Sequence, residues 1–83
     1  MSKKDKMINR LKSKPRDFTF DEAESLLLLL GFRRFNKGKT SGSSVAFIKN
    51  TIKITLHKPH PRKELQMYQI IDILNKLNKE GLI

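Results

Sequence analysis

The hydrophobic pattern of this chain changes period along its length, and each change marks an element. Ahead of Gly31, residues Ala23, Leu26, Leu27 and Leu30 recur at i, i+3, i+4 and i+7, the core stripe of an amphipathic helix. Thr19 is a good N-cap, and Glu22 three residues on completes a capping box, with Phe18 and Ala23 at the hydrophobic-staple positions. Gly31 suits the residue just past the helix end. Two leucines break the pattern. Leu28 shares a face with Asp21 and Glu24, and Leu29 with Glu22 and Ser25. Apolar side chains on polar faces point to a partner surface or a dimer contact, or else to packing against the residues before the helix.

The period then shortens. Phe32 to Phe35 reads as a short strand, followed by a polar Gly/Ser/Thr/Lys loop from Asn36 to Gly42. Ser43 to Lys49 and Ile52 to His57 alternate as a hairpin around Asn50-Thr51. A two-residue loop pairs Val45 with Leu56 and Phe47 with Ile54 on the core side. The other face then pairs Ile48 with Lys53, Ala46 with Thr55, and Ser44 with His57. A one-residue slip would set apolar side chains against polar ones, whereas a two-residue slip is left open by the pattern. In this register the Cβ atoms of Ser44 and His57 lie roughly 4.5–5.5 Å apart.

A second helix is predicted from Pro61 or Arg62 to Lys79, with Met67, Ile70, Ile71, Leu74 and Leu77 as its buried stripe. Pro61 fits its first turn, and Gly81 caps its end, with Leu82 folding back. The order is α-β-β-β-α. This is an α+β fold with two helices on one face of a three-stranded antiparallel sheet and the other face open. Residues 1–17 read as a basic, loosely ordered leader, and residues 18–83 as the single domain. Within the leader, Met7, Ile8 and Leu11 support one or two helical turns before Pro15 ends them.

Composition narrows the partners. Eighteen Lys and Arg against 8 Asp and Glu give a net charge of +10, and the pI is near 10.2, which points to nucleic acid. Five Phe, one Tyr and no Trp, mostly at core positions, favour backbone recognition over base stacking. With no cysteine, disulfides and thiolate metal sites are excluded. The longest apolar run, Leu26 to Leu30, falls far short of the ~20 residues that cross a bilayer. The N-terminus lacks the pattern of a secretory signal, so the expected location is cytoplasmic and no membrane partner is expected.

Candidate chemistry gathers where the third strand ends, in Leu56-His57-Lys58-Pro59-His60-Pro61. Both histidines of the chain lie there, and histidine is suited to acid–base work near neutrality. His57 is the candidate general base or acid, with Ser44 as its cross-strand support. His60, between two prolines, reads as a structural loop residue. Lys53, Lys58, Arg62 and Lys63, with Lys39 in the earlier loop, are the candidate phosphate ligands, helped by the N-terminus of the second helix. His57, His60 and Glu64 are a thin set for a metal, and no cofactor is expected. Gly38-Lys39-Thr40 has the ending of a nucleotide-binding P-loop, but Arg33 stands where that motif needs its first glycine.

These motifs, in this order, resemble the HicA family of small toxins from type II toxin–antitoxin pairs. The resemblance runs from Phe18 to Ile83. It rests on Leu30-Gly31-Phe32 closing the first helix, Gly42-Ser43 opening the second strand, and Leu56-His57-Lys58-Pro59-His60-Pro61 ending the third. Glu64-Leu65, Ile70-Ile71, Leu74 and the closing Gly81-Leu82-Ile83 complete it. The resemblance implies a double-stranded-RNA-binding-domain-like fold and cleavage of mRNA without a cofactor. It further implies neutralisation by a HicB antitoxin, through which an oligomer could form. One departure matters. Family members usually carry a catalytic histidine just after the glycine pair, where this chain has Ser44. Two readings follow: a metal-independent endoribonuclease, or a non-catalytic RNA-binding module that has lost the family histidine.

Overall fold

The computed structural model describes residues 2–35, 44–58 and 63–83. Its elements are α1 (Lys3–Lys12), α2 (Phe20–Leu29), β1 (Arg33–Phe35), β2 (Ser44–Lys49), β3 (Ile52–His57) and α3 (Met67–Lys79). The strands form one antiparallel sheet in the order β1-β2-β3. This is an α+β fold, and its α2-β-β-β-α3 order is compatible with the double-stranded-RNA-binding-domain type. No helix among the described residues is long and apolar enough to cross a membrane.

The α2 cap forms as the sequence predicts. Thr19 Oγ1 accepts from the Glu22 amide at 3.1 Å, and the Glu22 carboxylate accepts from the Thr19 amide at 3.1 Å. Ala23, Leu26, Leu27 and Leu30 are all buried. At the other end Gly31 takes φ +98°, letting its N–H donate to Leu28 and that of Phe32 to Leu27, the paired bonds of a Schellman close. Lys49 Nζ reaches back to the Leu30 carbonyl at 2.6 Å, a cation at a helix C-terminus.

The hairpin has the expected register, with Ser44 opposite His57, Val45 opposite Leu56 and Phe47 opposite Ile54. Asn50 makes the turn with φ +54°, a region asparagine tolerates better than most residues. Val45, Phe47, Ile54 and Leu56 are buried against the helices.

The N-terminal segment differs from expectation. Rather than a loose leader with one or two turns, Lys3–Lys12 is a ten-residue helix capped by Ser2. Leu11 is fully buried, and Met7 and Ile8 pack against the core. Arg10 grips Glu22 through both oxygens, at 2.6 and 3.1 Å, and reaches Asp17 at 3.2 Å. The tie locks α1 onto the start of α2. It also holds the Glu22 carboxyl below the ordinary carboxylate range, chiefly through the Arg10 hydrogen bond and against the opposing effect of burial.

The last helix also differs. It begins at Met67, not at Pro61 or Arg62, which lie outside the described residues. Residues Lys63 to Leu65 are extended because they pair with the start of α2: the Phe20 amide donates to Lys63 and the Leu65 amide to Phe18. Leu65 is buried by that pairing. The stripe is rotated as well. Ile70, Ile73 and Leu77 are buried, Met67 and Leu74 partly so, and Ile71 faces solvent. The remaining buried position on this face is Gln69.

Candidate active site

Strand alternation sorts the sheet's side chains. Val45, Phe47, Ile54 and Leu56 face the core, so Ser44, Ala46, Ile48, Lys53, Thr55 and His57 lie on the outer face. The pairing of β1 with β2 adds Arg33, opposite Ile48, and Phe35, opposite Ala46, to that face. Arg34 is turned the other way and meets Glu24 of α2 at 3.1 Å.

At the open end of the hairpin, Ser44 Oγ and His57 Nδ1 stand 3.0 Å apart. The backbone explains the closeness. The His57 N–H donates to Gln69 Oε1 at 2.9 Å, and the His57 carbonyl accepts from Gln69 Nε2 at 3.4 Å. Both backbone groups of His57 therefore point away from Ser44. The two residues form a non-hydrogen-bonded cross-strand pair, the kind that brings side chains closest. Gln69 acts as a short extra strand at the sheet edge, which is why a polar residue is buried in α3.

With Nδ1 engaged by Ser44, Nε2 is the nitrogen left for a substrate. If Nδ1 carries the proton and donates to Oγ, Nε2 is an acceptor and can serve as a base. His57 also lines a groove of about 370 Å³ together with Thr55, Tyr68, Gln69 and Asp72. One wall is the outer face of β3 and the other is the first turns of α3.

The predicted phosphate ligands are not all together. Lys53 is exposed on the same face as His57, four residues away along the strand, or ~13 Å. Lys58, next in sequence to His57, is carried to the opposite side, its Nζ 5.4 Å from the centre of the Phe20 ring. Lys63 is exposed near the same Phe20, whose amide its carbonyl accepts. These two lysines therefore sit by the start of α2, not beside the imidazole. The N-terminus of α3 begins at Met67 with no side-chain cap from Gln66, later than the phosphate-holding turn expected from Pro61. Lys39, His60 and Arg62 fall outside the described residues. Leu28 and Leu29 are 50% and 44% exposed, so α1 does not cover them.

Sequence reasoning passed over Arg33, Phe35 and Gln69. The first two were legible: Phe32 is buried, so alternation sends Arg33 and Phe35 outward, where Phe35 is 42% exposed. Gln69 carried no such signal, because its role depends on where β3 ends.

A family model described as the HicA toxin of bacterial toxin-antitoxin matches residues 20–78. The match runs from the first residue of α2 to just short of the end of α3 and leaves out α1. No curated protein and no solved structure matches the chain.

Proposed function

The chain belongs to the HicA toxin family of bacterial toxin–antitoxin systems, and on that premise we propose that it cuts mRNA without a metal, using His57 as its base. The observation that carries this reading is the 3.0 Å contact between His57 Nδ1 and Ser44 Oγ. Ser44 occupies the position of the usual family histidine, and His57 faces it directly across the hairpin. An imidazole therefore stands on the same face, displaced by one strand.

In this reaction Nε2 of His57 takes the proton of a ribose 2′-OH. The 2′-oxygen attacks the adjacent phosphorus, the bond from phosphorus to the 5′-oxygen breaks, and the products are a 2′,3′-cyclic phosphate and a 5′-hydroxyl. Water in the open groove protonates the departing oxygen. In this step Nδ1–H donates to Ser44 Oγ, which orients the ring and leaves Nε2 as the acceptor. General base help of this kind contributes about 10²–10⁴-fold. Lys53 and Arg33 supply positive charge along the outer face for flanking phosphates. The protein that silences it is a HicB-type antitoxin, and the exposed Leu28 and Leu29 offer that partner an apolar contact on α2.

The test is cleavage of a labelled mRNA in excess EDTA by the wild type and by His57→Ala. Cutting by the wild type alone supports the reading. Equal cutting by both removes His57 from the mechanism. Retention of RNA in a gel shift with no cutting by either makes the protein a non-catalytic binding module.

A further inference from the structure

The groove beside His57 contains a carboxylate, which is out of place in a site built only for phosphate. The chain carries a net charge of +10, yet one wall of this groove presents Asp72. An ionised carboxylate accepts hydrogen bonds and repels phosphate oxygens. Tyr68, on the same wall, is 60% exposed although it is a large aromatic side chain. Tyr68 and Asp72 are four residues apart on α3, so they stand one above the other on a single face of the helix. The opposite wall holds Thr55 and His57.

We propose that this groove is a nucleobase subsite that selects guanine, with Tyr68 stacking on the base and Asp72 reading its Watson–Crick edge. The proposal rests on the reading of the neighbouring His57 as an RNA-cutting group. Protein recognition of single-stranded RNA works by stacking unpaired bases on aromatic side chains and hydrogen-bonding their edges. The two oxygens of a carboxylate match two adjacent donors. Guanine alone among the four bases provides them, at N1–H and the N2 amino group. Cytosine and adenine offer one amino group beside a ring acceptor, and uracil one N–H between two carbonyls, so each sets an acceptor against the carboxylate. Lys76, whose Nζ is 3.3 Å from Asp72 Oδ2, is an exposed i,i+4 partner of the weakly held kind. That contact leaves Asp72 about half exposed and open to a ligand. The base bound here belongs to a nucleotide next to the bond cleaved with the help of His57, since His57 lines the same groove.

The experiment measures binding of the full chain to short single-stranded RNAs by fluorescence anisotropy. Each RNA carries a 2′-O-methyl group at every position, so none can be cut. The set differs at one central position: guanine, inosine, adenine, cytosine or uracil. The expected result is about tenfold tighter binding for guanine than for adenine, with inosine in between because it lacks the N2 amine. Asp72→Asn should abolish that preference and leave the adenine RNA bound as before. Tyr68→Ala should weaken all five RNAs by about tenfold. Equal affinity of the wild type for all five would overturn the proposal, as would a guanine preference that survives Asp72→Asn. Loss of antitoxin binding on Asp72→Asn, with RNA binding unchanged, would overturn it too and give the groove to the protein partner. Cleavage is scored separately. Cutting without base preference removes the subsite and keeps the nuclease, whereas guanine preference without cutting keeps the subsite and removes the nuclease.

Discussion

The two faces of the sheet are made by the same pair of hairpin strands, yet they carry different burdens. Towards the helices lie Val45, Phe47, Ile54 and Leu56, all buried. On the other side, at alternate positions, lie Ser44, Ala46, Ile48, Lys53, Thr55 and His57. The inner row contributes the apolar burial that holds the fold together. The outer row is half-buried along β2 and exposed at Lys53, Thr55 and His57 on β3, so those exposed positions can change their chemistry at least cost to the fold.

Substitutions should separate the two faces cleanly. The largest effect is expected from Phe47→Ala on the inner face, which removes a fully buried ring and should cost about 3–5 kcal/mol in stability. Chemical denaturation would measure it, and a loss below about 1 kcal/mol, the size of an ordinary substitution, would mean the inner row does not hold the fold. Glu22→Gln should cost less, about 1–2 kcal/mol near neutrality, since it weakens the cap of α2 and the tie to Arg10. Its pH dependence is distinctive. The Glu22 carboxyl titrates below its ordinary value of 4.5 when folded, so its contribution is complete above about that pH and fades as pH falls through the lower folded value. The gap in thermal stability between wild type and Glu22→Gln should therefore close in acid. A gap that stays constant would remove the ionised tie from the account. On the outer face, Lys53→Gln should leave stability within about 0.5 kcal/mol. It should also reduce the slope of log affinity for single-stranded RNA against log salt by about 0.7. An unchanged slope would take Lys53 out of the RNA path.

What the sequence makes legible follows from which patterns are local. The hairpin register is determined by strict alternation and a two-residue turn, so the pairing of Ser44 with His57 follows from the order of residues alone. The capping box and the glycine closes are equally local: Gly31 ends α2, and Gly81, at φ +73°, ends α3 with the Leu82 amide donating to Leu77. Alternation also carries two further signals that the sequence reading passes over: it sends Lys58 to the face opposite His57, and it sends Arg33 and Phe35 outward. The remaining differences are tertiary. In α3, apolar residues occupy more than one face, so the choice of Ile73 over Ile71 depends on how the helix sits on β3. Its late start depends on pairing between Lys63–Leu65 and Phe18–Phe20, segments far apart in the chain. The docking of α1 likewise depends on Arg10 finding Glu22, whose carboxylate already had a local use in the cap.

The most direct test of the account is a double-mutant cycle on RNA cleavage with Ser44→Ala, His57→Ala and the combination, all in EDTA. If Ser44 acts only by holding the imidazole, Ser44→Ala should slow cleavage by about tenfold in the wild type, one hydrogen bond's worth. In the His57→Ala background, where little cleavage remains, it should cost nothing further. Independent losses that multiply, or full activity without His57, would show that the pair at the end of the hairpin is not the catalytic unit.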